Sequence, residues 1–86
     1  RLEEAESALA HALAMNPRYA LAWLAQCLLM LARGRREGAC EAVRRLKQLE
    51  GEDSLALQGA RIDHACADLQ ARERLRKLLR AVWARA

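Results

Sequence analysis

The sequence has no phenylalanine, one tyrosine and one proline among its 86 residues. Its β-branched residues are Val43, Ile62 and Val82, which are too few to build a sheet. Alanine, leucine, arginine and glutamate dominate instead, and all four favour helices. The composition therefore predicts an all-α fold. A chain of this length forms one small domain with a core but without a deep enclosed cavity.

The most apolar stretch is too short to cross a bilayer. It reads YALAWLAQCLLMLA and runs over 14 residues, with Gln26 as its only polar side chain. A membrane span needs roughly 18–20 apolar residues, and an internal stretch like this one lacks the position of a signal peptide. A helix that is apolar all round is typical of burial on every side. We therefore expect no transmembrane segment.

Residues suited to catalysis or metal binding are few and scattered. His11 and His64 are isolated, and there is no glycine-rich phosphate loop and no nucleophile–histidine–carboxylate set. Asp63, His64 and Cys66 include metal-ligand types, but neighbours at i+1 and i+2 on a helix point apart. We therefore predict a non-catalytic protein that needs no cofactor and no metal.

The three cysteines, Cys27, Cys40 and Cys66, form an odd set, and each lies in a helical stretch among alanines and leucines. Small buried thiols are the usual role of such residues, and the pattern favours a reducing compartment. A cytoplasmic location is the prediction.

Charge is unevenly distributed along the chain, although the net charge is only +4. The segments 33–47 and 72–85 hold six basic residues each, whereas 48–68 holds five acidic residues and Arg61 as its only basic one. Such a division can influence the choice of partner.

Turn signals divide the chain into five helices. Asn16 and Pro17 mark a helix start as cap and first-turn residue, whereas Gly34 and Gly51 mark helix ends. The N-caps expected for the last two helices are Asp53 or Ser54, and then Asp68. The predicted helices lie near 2–15, 18–33, 36–50, 53–66 and 69–84. Short turns between helices of this length make neighbours antiparallel.

A pattern of apolar and small residues recurs along the chain. Ala5, Leu9, Ala12 and Pro17 return 34 residues later as Ala39, Val43, Leu46 and Gly51, and the first three of these return after 32 more as Ala71, Leu75 and Leu78. Trp23, Gln26, Cys27 and Met30 likewise return after 32 residues as Leu55, Gln58, Gly59 and Ile62. A period near 34 with helix–turn–helix units is the signature of the tetratricopeptide repeat.

On these residues the chain resembles the tetratricopeptide repeat family over nearly its whole length. It departs from the family at Gln26 and Cys27, where the family prefers Leu-Gly, and at Gly51, where it prefers proline. The resemblance implies a single domain, 1–86, folded as a short right-handed solenoid of about two and a half repeats. Residues 1–17 would be the second helix of a repeat, 18–51 a full repeat, and 52–86 a degenerate last repeat with a capping helix.

The resemblance also implies a protein-binding function. By this likeness, Leu21, Leu24, Leu28 and Leu31 line a concave groove, with Asp63 and His64 toward its rim. We predict a scaffold that binds an apolar or amphipathic peptide segment there, as a chaperone-like protein or an assembly adaptor. Small members with apolar grooves are similar to chaperones of bacterial secretion systems. The alternative is that the last repeat covers these leucines permanently.

The basic residues of the last predicted helix suggest a different function. Arg72, Arg76 and Arg80 form a candidate basic surface for nucleic acid or an anionic membrane. No aromatic residue interleaves with them, and i,i+4 pairs such as Glu73 with Lys77 are typical of a solvated capping helix. The sequence therefore disfavours nucleic acid as the partner but keeps it as the alternative.

The first helix has no partner before it in the repeat. Leu2, Ala5, Leu9 and Ala12 would present an uncovered apolar face, and such an end is normally capped. Because this face would be uncovered, we expect either a further helix upstream or self-association through it. The first residue, Arg1 rather than methionine, agrees with an upstream segment.

Overall fold

The computed structural model describes all 86 residues and contains five α-helices and no strand. The helices are α1 (Leu2–Met15), α2 (Ala20–Ala32), α3 (Arg36–Glu50), α4 (Leu55–Ala65) and α5 (Leu69–Arg85). The all-α prediction is confirmed, and every boundary lies within about two residues of the predicted one. None of the five combines the length and the apolar character that crossing a membrane requires.

Two glycines end helices as predicted. Gly34 and Gly51 have φ angles of 72° and 103°, which residues with a Cβ atom rarely adopt. Asp68 is the predicted N-cap of α5, and its Oδ1 accepts a hydrogen bond from the Gln70 N–H at 3.1 Å. Ser54 occupies the N-cap of α4, but its hydroxyl donates to the Gly51 carbonyl instead.

Pro17 does not lie in the first turn of α2, contrary to the sequence prediction. The helix begins at Ala20, after a turn in which the Asn16 Oδ1 accepts from the Arg18 N–H at 3.2 Å. The Trp23 indole N–H then donates to the Pro17 carbonyl at 2.7 Å. This contact fixes the turn against α2, so the proline shapes the connection rather than the helix start.

The centre of the fold is the antiparallel pair of α2 and α3. Trp23 near the start of α2 lies under the Arg45 guanidinium near the end of α3, whereas Met30 near the end of α2 lies beside Gly38 near the start of α3. Between them, Cys27, Ala39, Val43 and Leu46 are completely buried. The small side chain of Ala39 therefore lies at a close contact between the two helices.

The two residues that recur with Ala39 are less enclosed. Ala5 is exposed on α1 and Ala71 is half-buried on α5. On the same first helix Leu2 is 45% exposed, whereas Leu9 packs against the core. The predicted apolar face of α1 is thus partly covered, and self-association through it stays a prediction.

Helix α5 packs against α2, α3 and α4. Its end is fixed to the far end of α3, because Lys47 Nζ donates to the Trp83 carbonyl and the Trp83 indole N–H donates to the Glu52 carbonyl, both at 2.9 Å. The radius of gyration is 11.9 Å, close to the ~12 Å of a globular domain of this length. The right-handed solenoid stays a prediction.

A polar network joins the end of α3 to α4. The Arg61 guanidinium donates to both oxygens of Glu50 at 2.7 Å, and the fully buried Gln58 donates to one of them at 2.7 Å. The hydrogen bond from Arg61 holds the pKa of Glu50 below its ordinary value, and the same bond raises the pKa of Arg61. This network satisfies the charges where the two helices meet.

Candidate peptide-binding surface

The four leucines expected to line one groove have different environments. Leu24 is 5% exposed and belongs to the hydrophobic core, whereas Leu28 and Leu31 are half-buried and pack against it. Only Leu21 is broadly accessible, at 50%. The physical reason is that Leu24 packs into a core to which α2, α3, α4 and α5 all contribute buried residues. Leu24 is therefore a core residue and not part of an accessible groove floor.

Leu21 and His64 do come together, as the sequence predicted for the groove and its rim. They line an open cleft of about 430 Å³ between α2 and α4, together with Ala60, Arg61 and Ala65. All of them except the partly buried Arg61 are exposed. The two helices thus place an apolar side chain from α2 opposite a shallow face of α4.

Leu57 extends this cleft along α4. It is 45% exposed and lies three residues before Ala60 and seven before His64, a spacing that places all three on one helix face. We call the group Leu21, Leu57, Ala60, His64 and Ala65 the α2–α4 surface. Leu57 and Ala65 were not expected at a binding surface, although the helical spacing of Leu57 from His64 was a signal that could have identified it.

The α2–α4 surface is apolar in character because its one permanently charged neighbour is already paired. Arg61 lines the cleft, but Glu50 binds its guanidinium through both carboxylate oxygens. His64 is the remaining polar group. Exposed apolar groups gathered around one concave site are typical of surfaces that contact another molecule.

Asp63 does not line this cleft, because its side chain is directed toward α5. Its carboxylate pairs with Arg76 and, at 3.8 Å, with Arg72. Arg72 also donates two hydrogen bonds, of 3.0 and 2.8 Å, to the Cys66 carbonyl at the end of α4. Asp63 therefore acts in the α4–α5 contact and is not a groove residue.

The same ion pairs change the interpretation of the candidate basic surface. Arg72 and Arg76 hold α4 and α5 together, and Arg80 has no carboxylate partner. A cleft lined by Asp63, Arg72, Glu73, Arg76, Lys77 and Arg80 lies along this side of the molecule. Arg72 pairs with Asp63 on α4 and not with Asp68, which lies four residues before it.

The histidine, cysteine and acidic side chains do not assemble into a metal site. No group of three or more of them lies close enough to hold an ion. All three cysteines are free thiols, and burial, with a smaller effect from Cys40, raises the pKa of Cys27 to about 12. Cys40 and Cys66 are half-buried. The non-catalytic function and the reducing compartment stay predictions.

Comparisons of the chain with protein-family models, with curated proteins and with solved structures find no match. The resemblance to tetratricopeptide repeats accordingly rests on the internal recurrence of residues.

Proposed function

We propose that this protein is a protein-interaction module that binds an apolar or amphipathic segment of a partner at the α2–α4 surface. The observation that carries the proposal is Leu21, 50% exposed in the lining of one open cleft, together with Leu57, 45% exposed and one helical turn before Ala60 of the same lining. The recurrence of residues along the chain supports a helical-repeat architecture. Within such an architecture, we propose that the protein acts as a chaperone-like protein or an adaptor.

The size of the surface sets the strength of binding. Complete burial of a leucine contributes roughly 1.5–3 kcal/mol, and these two are already half-covered, so together they supply about 1.5–3 kcal/mol. A millimolar complex needs about 4 kcal/mol. The partner must therefore bury apolar side chains of its own, as an amphipathic helix does when leucines recur along one face. We expect a micromolar to millimolar, reversible complex.

A defined peptide tests this proposal. The probe is a fluorescent amphipathic helix with leucines at i, i+3, i+4 and i+7 and glutamates elsewhere, since the protein carries a net charge of +4. Fluorescence anisotropy should show saturable binding to the protein, and Leu21→Lys should weaken it at least tenfold with an unchanged melting temperature.

The matched control is Leu2→Lys, because Leu2 is a similarly exposed leucine on α1. This variant carries the same added charge and should bind like the parent. Equal loss in both variants, or equal binding of a scrambled peptide, would refute the assignment of the surface.

A further inference from the structure

A second apolar cleft lies on another side of the molecule, where α2, α3 and α5 meet. Its volume is about 190 Å³ and its apolar lining includes Leu31, Cys40, Leu78 and Val82. Leu78 is 40% exposed although it faces this cleft. The cleft shares no residue with the α2–α4 surface.

Two arginines border this cleft, and neither has a partner within the protein. Arg36 is the first residue of α3 and Arg85 is the last of α5, and both line the cavity. Neither forms an ion pair, whereas Arg33, Arg35, Arg44, Arg45, Arg61, Arg72 and Arg76 all do. Glu41 in the adjoining depression already binds Arg44 and Arg45. Glu37 lines the same depression as Arg36 and Arg85 and forms no ion pair, so two positive groups flank the apolar space against one unpaired carboxylate beside it.

The chemistry of the lining selects the ligand. Guanidinium groups bind carboxylates through paired, charge-assisted hydrogen bonds. The only other polar group in the lining is the Cys40 thiol, so the cleft has no side-chain amide or carboxylate to match the repeated amides of a peptide. A single acidic head on an apolar tail matches both features.

We propose that this cleft binds an aliphatic monocarboxylate, with its carboxylate between Arg36 and Arg85 and its tail against Leu31, Leu78 and Val82. The volume equals that of about six water molecules, which suits a tail of medium length. The start of α3 beside Arg36 adds the positive end of a helix dipole to the same region. This inference does not depend on the proposed function.

A chain-length series tests the fit. Hexanoate, octanoate and decanoate are titrated into the protein below their micelle concentrations and followed by two-dimensional NMR. Affinity should rise by up to about fourfold per added methylene and then level off once the cleft is full. Octanol and octylammonium, which lack the carboxylate, should bind at least tenfold more weakly than octanoate. Equal binding of octanol and octanoate would overturn the proposed role of the arginines.

Charge removal tests the two arginines directly. Arg36→Gln combined with Arg85→Gln should lower octanoate affinity at least tenfold while the melting temperature stays unchanged, since neither side chain has an ion-pair partner. The control combines Arg18→Gln with Arg74→Gln, two exposed arginines outside the cleft with the same change of net charge. Equal losses in the two double variants would contradict the proposal.

Cys40 reports where the ligand binds. Octanoate should slow alkylation of Cys40 by N-ethylmaleimide at least threefold, measured by mass spectrometry, and should leave Cys66 unaffected because it lies outside this cleft. Unprotected Cys40, or NMR shifts centred on Leu21 and His64, would overturn this site. The second result would leave the α2–α4 surface as the site of binding.

Discussion

Small residues set how closely the two central helices approach. Ala39 is completely buried between them, and an ideal Cβ on Gly38 would lie 2.8 Å from the Met30 sulfur. Met30 itself is 4% exposed, so it has little room to move in a packed interior. The close packing of α2 on α3 therefore depends on small side chains at Gly38 and Ala39.

Ala39→Leu should overpack the α2–α3 contact and lower the free energy of unfolding by about 1–3 kcal/mol. Ala5→Leu is the matched variant, because Ala5 has the equivalent place in the recurrence but is exposed; its effect should stay within about 0.5 kcal/mol. Urea denaturation measures both. Equal effects of the two substitutions would contradict the packing described for α3.

The two helical glycines should respond differently to alanine. Gly38→Ala should lower stability by about 1–2 kcal/mol, because the gain in helix propensity is smaller than the cost of displacing Met30. At Gly59 the nearest atoms belong to the flexible end of Arg76, at 3.2 Å. Gly59→Ala should therefore be neutral or stabilise by up to about 1 kcal/mol. Thermal denaturation of the pair checks the order, and the reverse order would contradict it.

At the scale of whole helices, charged side chains join elements that apolar packing brings together. Glu50 binds Arg61 across the α3–α4 connection, and Asp63 binds Arg72 and Arg76 across the α4–α5 connection. These pairs are partly buried, so water screens them less than ion pairs on an open surface. They should govern how firmly α4 is held.

Glu50 should make stability depend on pH in the acidic range. Its pKa is lower in the folded protein than in the unfolded chain, so its contribution is fully present above about pH 4.3 and is lost as the pH falls through the folded value. Glu50→Gln should cost about 1–3 kcal/mol at pH 7. The difference between parent and variant should shrink below pH 4, as measured by urea denaturation. A difference that is constant from pH 7 to pH 3 would contradict this role.

The basic side of α5 should bind nucleic acid weakly, because Asp63 competes with phosphate for Arg72 and Arg76. We expect no measurable affinity for a mixed-sequence DNA duplex at 150 mM salt. If all three arginines bound phosphates, the logarithm of affinity would fall against the logarithm of salt with a slope of about −2.7. A salt titration by fluorescence anisotropy that gave such a slope, together with tight binding, would favour the nucleic-acid alternative.

For the molecule as a whole, the helix ends could be predicted from local sequence signals, whereas the packing of the helices against one another could not. Gly34 and Gly51 end helices with positive φ angles. Glycine adopts such angles readily, so the residue type itself predicts these helix ends. Ala39 recurs with Ala5 and Ala71, but the recurrence does not indicate that only Ala39 is completely buried. The burial of Leu24 and the pairing of Asp63 with Arg72 depend instead on where α5 packs, which no short-range pattern in the sequence encodes.

For the same reason, only part of the candidate site could be predicted from the sequence. Leu21 and His64 were expected near one another and line one cleft. Leu24 shares their predicted face but is covered, because it packs into the core that α2, α3, α4 and α5 share. The proposed binding surface is therefore smaller and nearer to α4 than a repeat pattern alone suggests.

The most direct measurement of the central claim is the location of the bound amphipathic peptide. Titration of the unlabelled peptide into ¹⁵N-labelled protein, followed by two-dimensional NMR, should shift the amide signals of Leu21, Leu57, Ala60, His64 and Ala65, and Leu21→Lys should abolish these shifts. Shifts centred on the arginines of α5, or shifts that survive Leu21→Lys, would contradict the account.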